Sequence, residues 1–418
     1  MPTTSLTNAF PAGVLQPVAS GLGALTGVGG QIEFIDQDKK APYVQQYSID
    51  VNRELPGNMA IGFEYTGATG RNLGLGGSND GIININQVDP KYLSLGSALL
   101  DMVPNPFFGL PNVTFNGVSS PQGKNVTSPT IQRRELLRPF PQFNNILMRQ
   151  NTGGKSQYHA AIVKFEKRMS HGWGGRVNYT YSRLKDNQFG ESNYFSTTSS
   201  TEMQDAYNLD AEYAIGLLDV PHKITLSPIL ELPFGKGKKW ASSGAGAAIL
   251  GDWTLSSIVS IESGFPTSYN ASTGSQIFTR TRRPNLVSGT DAETSGTRYA
   301  RIAPPAGSAC VTGEECGIGI WLNSAAFAQP GTYELGTAPR TLGDVRTPHR
   351  NNWDFVAAKA VRFGSSRARA QIRLEMLNIT NTAKTRGPNT TVGSSAFGQI
   401  RTQAGFMRIT QLMFRVSY

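Results

Sequence analysis

Residues 406–418, FMRITQLMFRVSY, decide the fold. Every second position counted back from the end, Tyr418, Val416, Phe414 and Leu412, is apolar or aromatic. The positions between them, Ser417, Arg415, Met413 and Gln411, are mostly polar. Side chains alternate faces along a strand, so this segment has one apolar and one wet face. Chain ends of soluble domains are usually polar and frayed. A strand that keeps an apolar face to an aromatic last residue fits the closing strand of a transmembrane β-barrel, with that aromatic at the interface. Taken alone, the segment equally fits an amphipathic strand of a soluble sandwich.

Composition narrows the choice. The chain has 418 residues, 46 of them Gly and 24 Pro, and only 39% hydrophobic, below the usual globular share. No run approaches the ~18 apolar residues of a spanning helix. Strands that cross a bilayer alternate and leave no such run. The net charge of +10 comes from 39 Lys and Arg against 29 Asp and Glu. These residues are scattered, which favours solvated turns and a polar interior over a nucleic-acid surface. Residues 1–8 lack a basic segment followed by an apolar core, so the expectation is that the chain is not a complete secretory precursor.

Along the chain before this segment, alternating segments recur in pairs. Residues 43–53 and 59–66 form a hairpin across Leu55-Pro56-Gly57-Asn58, a sequence with turn chemistry. Residues 161–166 and 173–182 form a second across Met169-Ser170-His171-Gly172. A third joins 223–232 to 253–262, its turn beginning at Phe234-Gly235-Lys236-Gly237-Lys238. A fourth joins 353–363 to 369–376 across Gly364-Ser365-Ser366. Residues 1–40 and 68–143 read as irregular, the latter with at most a weak strand pair. Long loops are expected over 184–220, 265–350 and 381–398. Short turns thus alternate with long loops, and spans are about ten residues, near what a tilted strand needs to cross a bilayer. The expectation is an all-β, antiparallel transmembrane β-barrel of about ten strands, with short periplasmic turns and long extracellular loops.

Residues with catalytic or ligand-binding chemistry are sparse. His159, His171, His222 and His349 lie in different hairpins or loops, with no carboxylate or Cys at ligand spacing, so no metal or cofactor is expected. Gly235-Lys236-Gly237-Lys238 lacks the spacing of a phosphate-binding loop and reads as a basic turn. No catalytic constellation emerges and the chain is not expected to be an enzyme. Cys310 and Cys316 sit in a long polar loop. They fit a reduced pair, a small disulfide loop or half of a metal site. The disulfide loop suits an oxidising compartment best. The polar-face residues Arg176, Lys223, Glu231, Arg369, Arg373 and Glu375 are the candidates to line a lumen, where they would contact an enclosed domain or solvate a water-filled interior.

Several short stretches resemble one family. They are Pro42-Tyr43-Val44-Gln45-Gln46-Tyr47, Arg53-Glu54-Leu55-Pro56-Gly57-Asn58, Lys164-Phe165-Glu166-Lys167-Arg168 with Ser170-His171-Gly172 after it, and Glu231-Leu232-Pro233-Phe234-Gly235-Lys236-Gly237. Ser263-Gly264-Phe265-Pro266, Asn351-Asn352-Trp353-Asp354-Phe355 and Phe414-Arg415-Val416-Ser417-Tyr418 complete the set. In order and spacing they resemble the C-terminal part of Oar-like TonB-dependent transporters of the acidobacterial type. The resemblance implies an outer-membrane location and a fragment, residues 1–418, of a 22-stranded barrel, without the family's plug or its regulatory-like N-terminal domain. In an intact member it implies uptake of large substrates such as oligosaccharides or peptides, driven through TonB. It also implies that Leu412, Phe414, Val416 and Tyr418 form the signal read by the barrel-assembly machinery. Two further readings stand beside it. One is a surface adhesion protein anchored by a barrel, with Trp321, Phe327 and Tyr333 in its binding loop. The other is a secreted soluble β-sandwich that binds glycans. Apart from lipid, the assembly machinery and TonB, no partner is implied, and no nucleic acid.

Overall fold

A computed structural model of the chain describes residues 21–75, 82–115, 118–121, 123–187, 203–272, 282–293, 319–362 and 369–417. Cys310, Cys316, Tyr418 and the fourth turn, residues 364–366, lie outside the described residues.

Nine long strands form one continuous antiparallel sheet in chain order. They are β1 (Tyr43–Leu55), β2 (Met59–Leu73), β3 (Gly154–Ser170), β4 (Trp173–Asp186), β5 (His222–Glu231), β6 (Trp253–Glu262), β7 (Arg350–Arg362), β8 (Arg369–Leu377) and β9 (Ile409–Ser417). The two-residue strand Ala214–Ile215 adds to the far end of β4. The sheet is open: β1 and β9 are its edges and do not pair with each other. Every neighbouring pair is also a neighbour in sequence, because short turns or folded-back loops join antiparallel strands directly.

Register converts the alternation of each strand into two faces. Directly opposed residues of antiparallel strands share a face. One row runs Val51, Phe63, Val163, Tyr179, Ile224 and Ile261 across six strands. A second runs Ile61, Phe165, Val177, Leu226, Val259 and Trp353. A third closes the sheet with Leu230, Leu255, Ala357, Leu374 and Leu412. Away from its turn-end border this apolar face is uncovered: Ile49 is 70% exposed and Leu412 73%. A soluble sandwich would bury such a face under a second sheet, and among the described residues none lies over it. The opposite face carries rows such as Asn52, Gly62, Lys164, Asn178, Thr225, Ser260 and Asn352.

Aromatic side chains mark both ends of the apolar face. Tyr47, Tyr65, His159, Tyr179, Tyr181 and His222 cluster at the end that carries the long loops. Tyr65 Oη lies 2.7 Å from His159 Nδ1, and Tyr179 Oη 2.9 Å from His222 Nδ1. Gly67 makes room for this belt, since a Cβ there would fall 2.5 Å from the Tyr47 ring. Trp173 and Trp253 stand at the turn end. Tyr181 lies eight residues beyond Trp173 on β4, a rise of about 27 Å. A strand tilt of about 40° turns this into a vertical span of roughly 21 Å, which fits within the ~25 Å apolar band of a membrane barrel.

The loop end departs from the sequence expectation. Ile32–Ile35 pairs in parallel with Ile146–Arg149, which also pairs with Ile83–Asn84. Met102–Pro104 pairs with Thr130–Gln132, and Val113–Phe115 with Val118–Ser120. The regions expected to be irregular therefore build small sheets of their own. Their strands are two to four residues long, too short to show a period in sequence. The 265–350 and 381–400 segments share a core of Tyr269, Trp321, Leu322, Phe327, Val345, Val392 and Ile400. Trp321 and Phe327, expected in a binding loop, are buried in it. The turn after β5 contains a helix, Gly244–Leu250, that the sequence reading missed.

The two faces predict opposite responses from adjacent residues. In lipid vesicles, Leu226→Lys should lower the unfolding free energy by about 2–4 kcal/mol, as a cation near the mid-depth of a lipid-facing strand does. Thr225→Lys, on the other face, should change it by less than about 1 kcal/mol. Denaturant titration of both variants measures the difference.

Candidate functional site

The polar face gathers cross-strand ion pairs along its length. Lys164 on β3 pairs with Glu64 of β2 and lies 3.6 Å from Asp50 of β1. Arg176 of β4 meets Glu166 of β3 at 3.1 Å. Glu262 of β6 bridges Lys223 of β5 at 3.5 Å and Arg350 of β7 at 2.8 Å. Arg373 and Glu375 pair along β8. The pattern follows from strand geometry, which holds directly opposed side chains about 5 Å apart. Most of these groups are partly exposed, where such pairs add up to about 1 kcal/mol each. They order the surface more than they stabilise the sheet.

A cavity of about 600 Å³ lies on this face. Glu166, Arg176, Ser227, Ser256, Asp354, Arg373 and Glu375 contribute to its wall, from six consecutive strands. A flat sheet cannot place six strands around one cavity, so the sheet curls towards its polar side. Of the six lumen candidates, Arg176, Arg373 and Glu375 come together here. The other three stand on the same face but apart. Lys223 lies near the loop end against Glu262. Glu231 lies near the turn end, 2.9 Å from Lys238. Arg369 lies at the turn end and donates to Ser417 Oγ at 3.2 Å. Among the described residues no three His, Cys, Asp or Glu side chains converge to hold a metal.

Two lysines break the alternation, and sequence reasoning missed both. Lys167 and Lys359 fall on the apolar face at its turn end, opposite Met59 and Trp253. Each is buried and finds carbonyls instead of a carboxylate. Lys167 Nζ donates to Ser170 Oγ at 2.6 Å and stands 4.4 Å from the Trp173 ring centre. Lys359 Nζ donates to the carbonyls of Ala248, Ile249 and Gly251 at 2.5, 3.0 and 2.9 Å. A lysine bent back to a polar partner beside an interfacial Trp is how a cation is tolerated at the edge of an apolar band. The signal was available as Lys in phase with the apolar residues, next to a Trp on the neighbouring strand.

At the loop end, buried charges tie separate loops together. Arg340 donates to Asp186 Oδ1 at 2.5 Å and to the Glu212 carbonyl at 3.0 Å. Arg283 pairs with the Glu212 carboxylate. Arg346 pairs with Asp219 at 2.6 Å, and the fully buried Asp219 also accepts from Leu184 N at 2.6 Å. Burial pushes the Glu212 carboxyl up, against the opposing pull of Arg283. Burial pushes the Arg340 guanidinium down, against the pull of Asp186. The loop after β6 is thereby fastened to the loop after β4. These partners lie 71 to 154 positions apart, a separation at which no sequence pattern announces a pair.

A single curled sheet with ion pairs along one face and an exposed apolar face bounded by aromatic side chains has the build of the wall of a membrane-crossing β-barrel. The chain belongs to the family described as outer membrane beta barrel domain, whose model matches residues 1–411. It is an outer-membrane protein. No curated protein sequence matches it. Among solved structures, it is similar to the outer membrane transporter YddB from Escherichia coli, at 10% identity and a TM-score of 0.41, covering 93% of this chain and 34% of that one. It is also similar to the FrpB iron transporter from Neisseria meningitidis, at 10% identity and a TM-score of 0.35, covering 92% and 32%. The chain thus spans about a third of the length of these transporters.

The buried Arg340 gives a local prediction. Arg340→Ala removes the bonds to Asp186 and to the Glu212 carbonyl and should destabilise the joined loops by about 3–5 kcal/mol, as removal of one partner of a buried pair does. Hydrogen exchange should rise across residues 205–219 and 338–346 and stay unchanged in β1 to β3.

Proposed function

We propose that this chain supplies the C-terminal part of the barrel of a TonB-dependent outer-membrane transporter of the Oar-like type. The observation that carries the reading is the two-faced sheet: nine consecutive spans are apolar on one face and polar on the other, with ion pairs along β1 to β8 and a cavity walled by β3 to β8 on the polar face. The sequence stretches that resemble the Oar-like family supply the subtype. On this reading residues 1–418 are barrel, and the plug and regulatory-like domain are supplied elsewhere in the complete protein. The turns face the periplasm and the loops face outward. Arg176, Lys223, Glu231, Arg369, Arg373 and Glu375 face the lumen. Leu412, Phe414, Val416 and Tyr418 act as the assembly signal, and Cys310 and Cys316 close a small disulfide loop. The substrates are large solutes such as oligosaccharides or peptides, taken up by the complete protein through TonB.

A barrel-anchored adhesion protein remains the second reading. It is favoured by exposed Phe108, Phe140 and Leu218 at the loop end, beside loops held in fixed shape. Trp321 and Phe327 no longer support it.

The test is growth of cells carrying the complete gene on a panel of oligosaccharides and peptides as sole nutrient. Transport predicts uptake of at least one that is lost on deletion of TonB, and less assembled barrel when Tyr418 is removed. Adherence to a surface with no TonB-dependent uptake of any solute would contradict the transporter reading and support the adhesion protein.

A further inference from the structure

The connection between β5 and β6, residues 232–252, is far longer than an antiparallel hairpin requires. The turn between β1 and β2 needs only residues 56–58, as short hairpins do. We propose that this connection is a membrane-interface anchor that binds anionic glycerophospholipid headgroups.

Its position is fixed by contacts on the apolar side of the sheet. Lys359 and Trp253 face each other across β6 and β7 on that side. Lys359 Nζ holds the carbonyls of Ala248, Ile249 and Gly251, and Trp253 Nε1 donates to the Ile249 carbonyl at 3.0 Å. The end of the helix Gly244–Leu250 therefore lies over the turn-end border of the apolar band. The connection is also folded within itself. Gly235 N donates to the Trp240 carbonyl and Trp240 N to the Pro233 carbonyl, both at 3.1 Å. The Phe234 and Trp240 rings are 5.6 Å apart. Gly235 has φ +106, and a Cβ there would lie 2.8 Å from Gly251 Cα, so this close approach requires glycine.

Two kinds of side chain project from the folded connection. Trp240, Ile249 and Leu250 are exposed, with Ile249 at 67%. They continue the apolar band where the bilayer surface would cross it. Beside them stand exposed Lys236, Lys238 and Lys239. Lys238 is paired with Glu231, and Lys239 stands 5.2 Å from the Trp240 ring centre. Among the described residues no carboxylate is paired with Lys236 or Lys239. Apolar and aromatic groups beside unneutralised lysines, continuous with a lipid-facing surface, suit an element lying in the headgroup layer. Phosphate is the chemistry that matches those lysines there. The choice of glycerophospholipid rests on the proposed orientation, which puts the turns at the inner leaflet.

The experiment uses the complete protein in nanodiscs carrying brominated phosphatidylglycerol or brominated phosphatidylcholine. The Trp240 signal is the difference between the unsubstituted protein and Trp240→Phe. The proposal expects quenching of that signal, stronger in phosphatidylglycerol. It expects Lys236→Gln with Lys239→Gln to weaken the preference for the anionic lipid about tenfold, with heat-resistant mobility of the barrel unchanged. An unquenched Trp240 would place the connection away from the bilayer and overturn the proposal. Equal quenching in both lipids, insensitive to the lysine substitutions, would overturn headgroup recognition. Orientation is read separately from Ser242→Cys against the unsubstituted protein, with an impermeant maleimide. Labelling only after outer-membrane permeabilisation is expected. Labelling in intact cells would overturn the inner-leaflet assignment, whatever the quenching shows.

Discussion

Backbone pairing is the constraint on which the rest of this structure depends. In hydrocarbon no water satisfies a free N–H or C=O, and each unpaired group is unfavourable by several kcal/mol. The ladder from β1 to β9 meets that requirement for most groups of the interior strands, with a gap between β5 and β6 at Ser227 and Pro228, where proline has no N–H to pair. It also fixes the register, and register sets the faces: a slip of one residue in any strand would turn its whole apolar set inward. Only β1 and β9 present open edges. An embedded form of the protein has to pair them, with further strands or with another chain.

The polar residues then divide by depth and by partner. On the polar face, Glu166 with Arg176 and Lys223 with Glu262 are half-exposed cross-strand pairs, which order that face and add little to stability. At the loop end, Glu212, Asp219 and Arg340 are buried, where losing one partner is severe. Those pairs convert long loops into a fixed cap joined to the sheet through Asp186 at the end of β4. On the outer face, Lys167 and Lys359 are admitted only at the turn border, where carbonyls and a Trp receive them. One sheet thus serves three environments, and each charge is placed according to what surrounds it.

Much of this was legible because strands encode it locally. Ile224, Leu226 and Leu230 alternate with Lys223, Thr225 and Glu231, and the structure places the two sets on opposite faces. Period two also located all four hairpins and placed Arg176, Lys223, Glu231, Arg369, Arg373 and Glu375 on one face. It did not show which of them share a cavity, because that depends on the curl of the sheet. Nor could it show the loop cap, which rests on two-residue pairings and on ion pairs between distant segments. Trp321 and Phe327 looked like binding residues because their loop appeared open, and a second loop buries them. The helix Gly244–Leu250 escaped notice because its Gly-Ala-Gly-Ala-Ala sequence is short and lacks an amphipathic period. About ten spans were expected, and nine long strands with one two-residue strand share the main sheet among the described residues.

The central claim is that one face of this sheet meets lipid and the other a watery interior. The most direct test is a nitroxide scan along β4, residues 173–186, of the protein in bilayers. Collision rates with oxygen and with a polar nickel complex are recorded at each site. The account predicts a period of two, with oxygen favoured at Val177, Tyr179 and Tyr181, and nickel favoured at Arg176, Asn178 and Thr180. Rates that do not alternate, or that favour nickel on the apolar set, would contradict it.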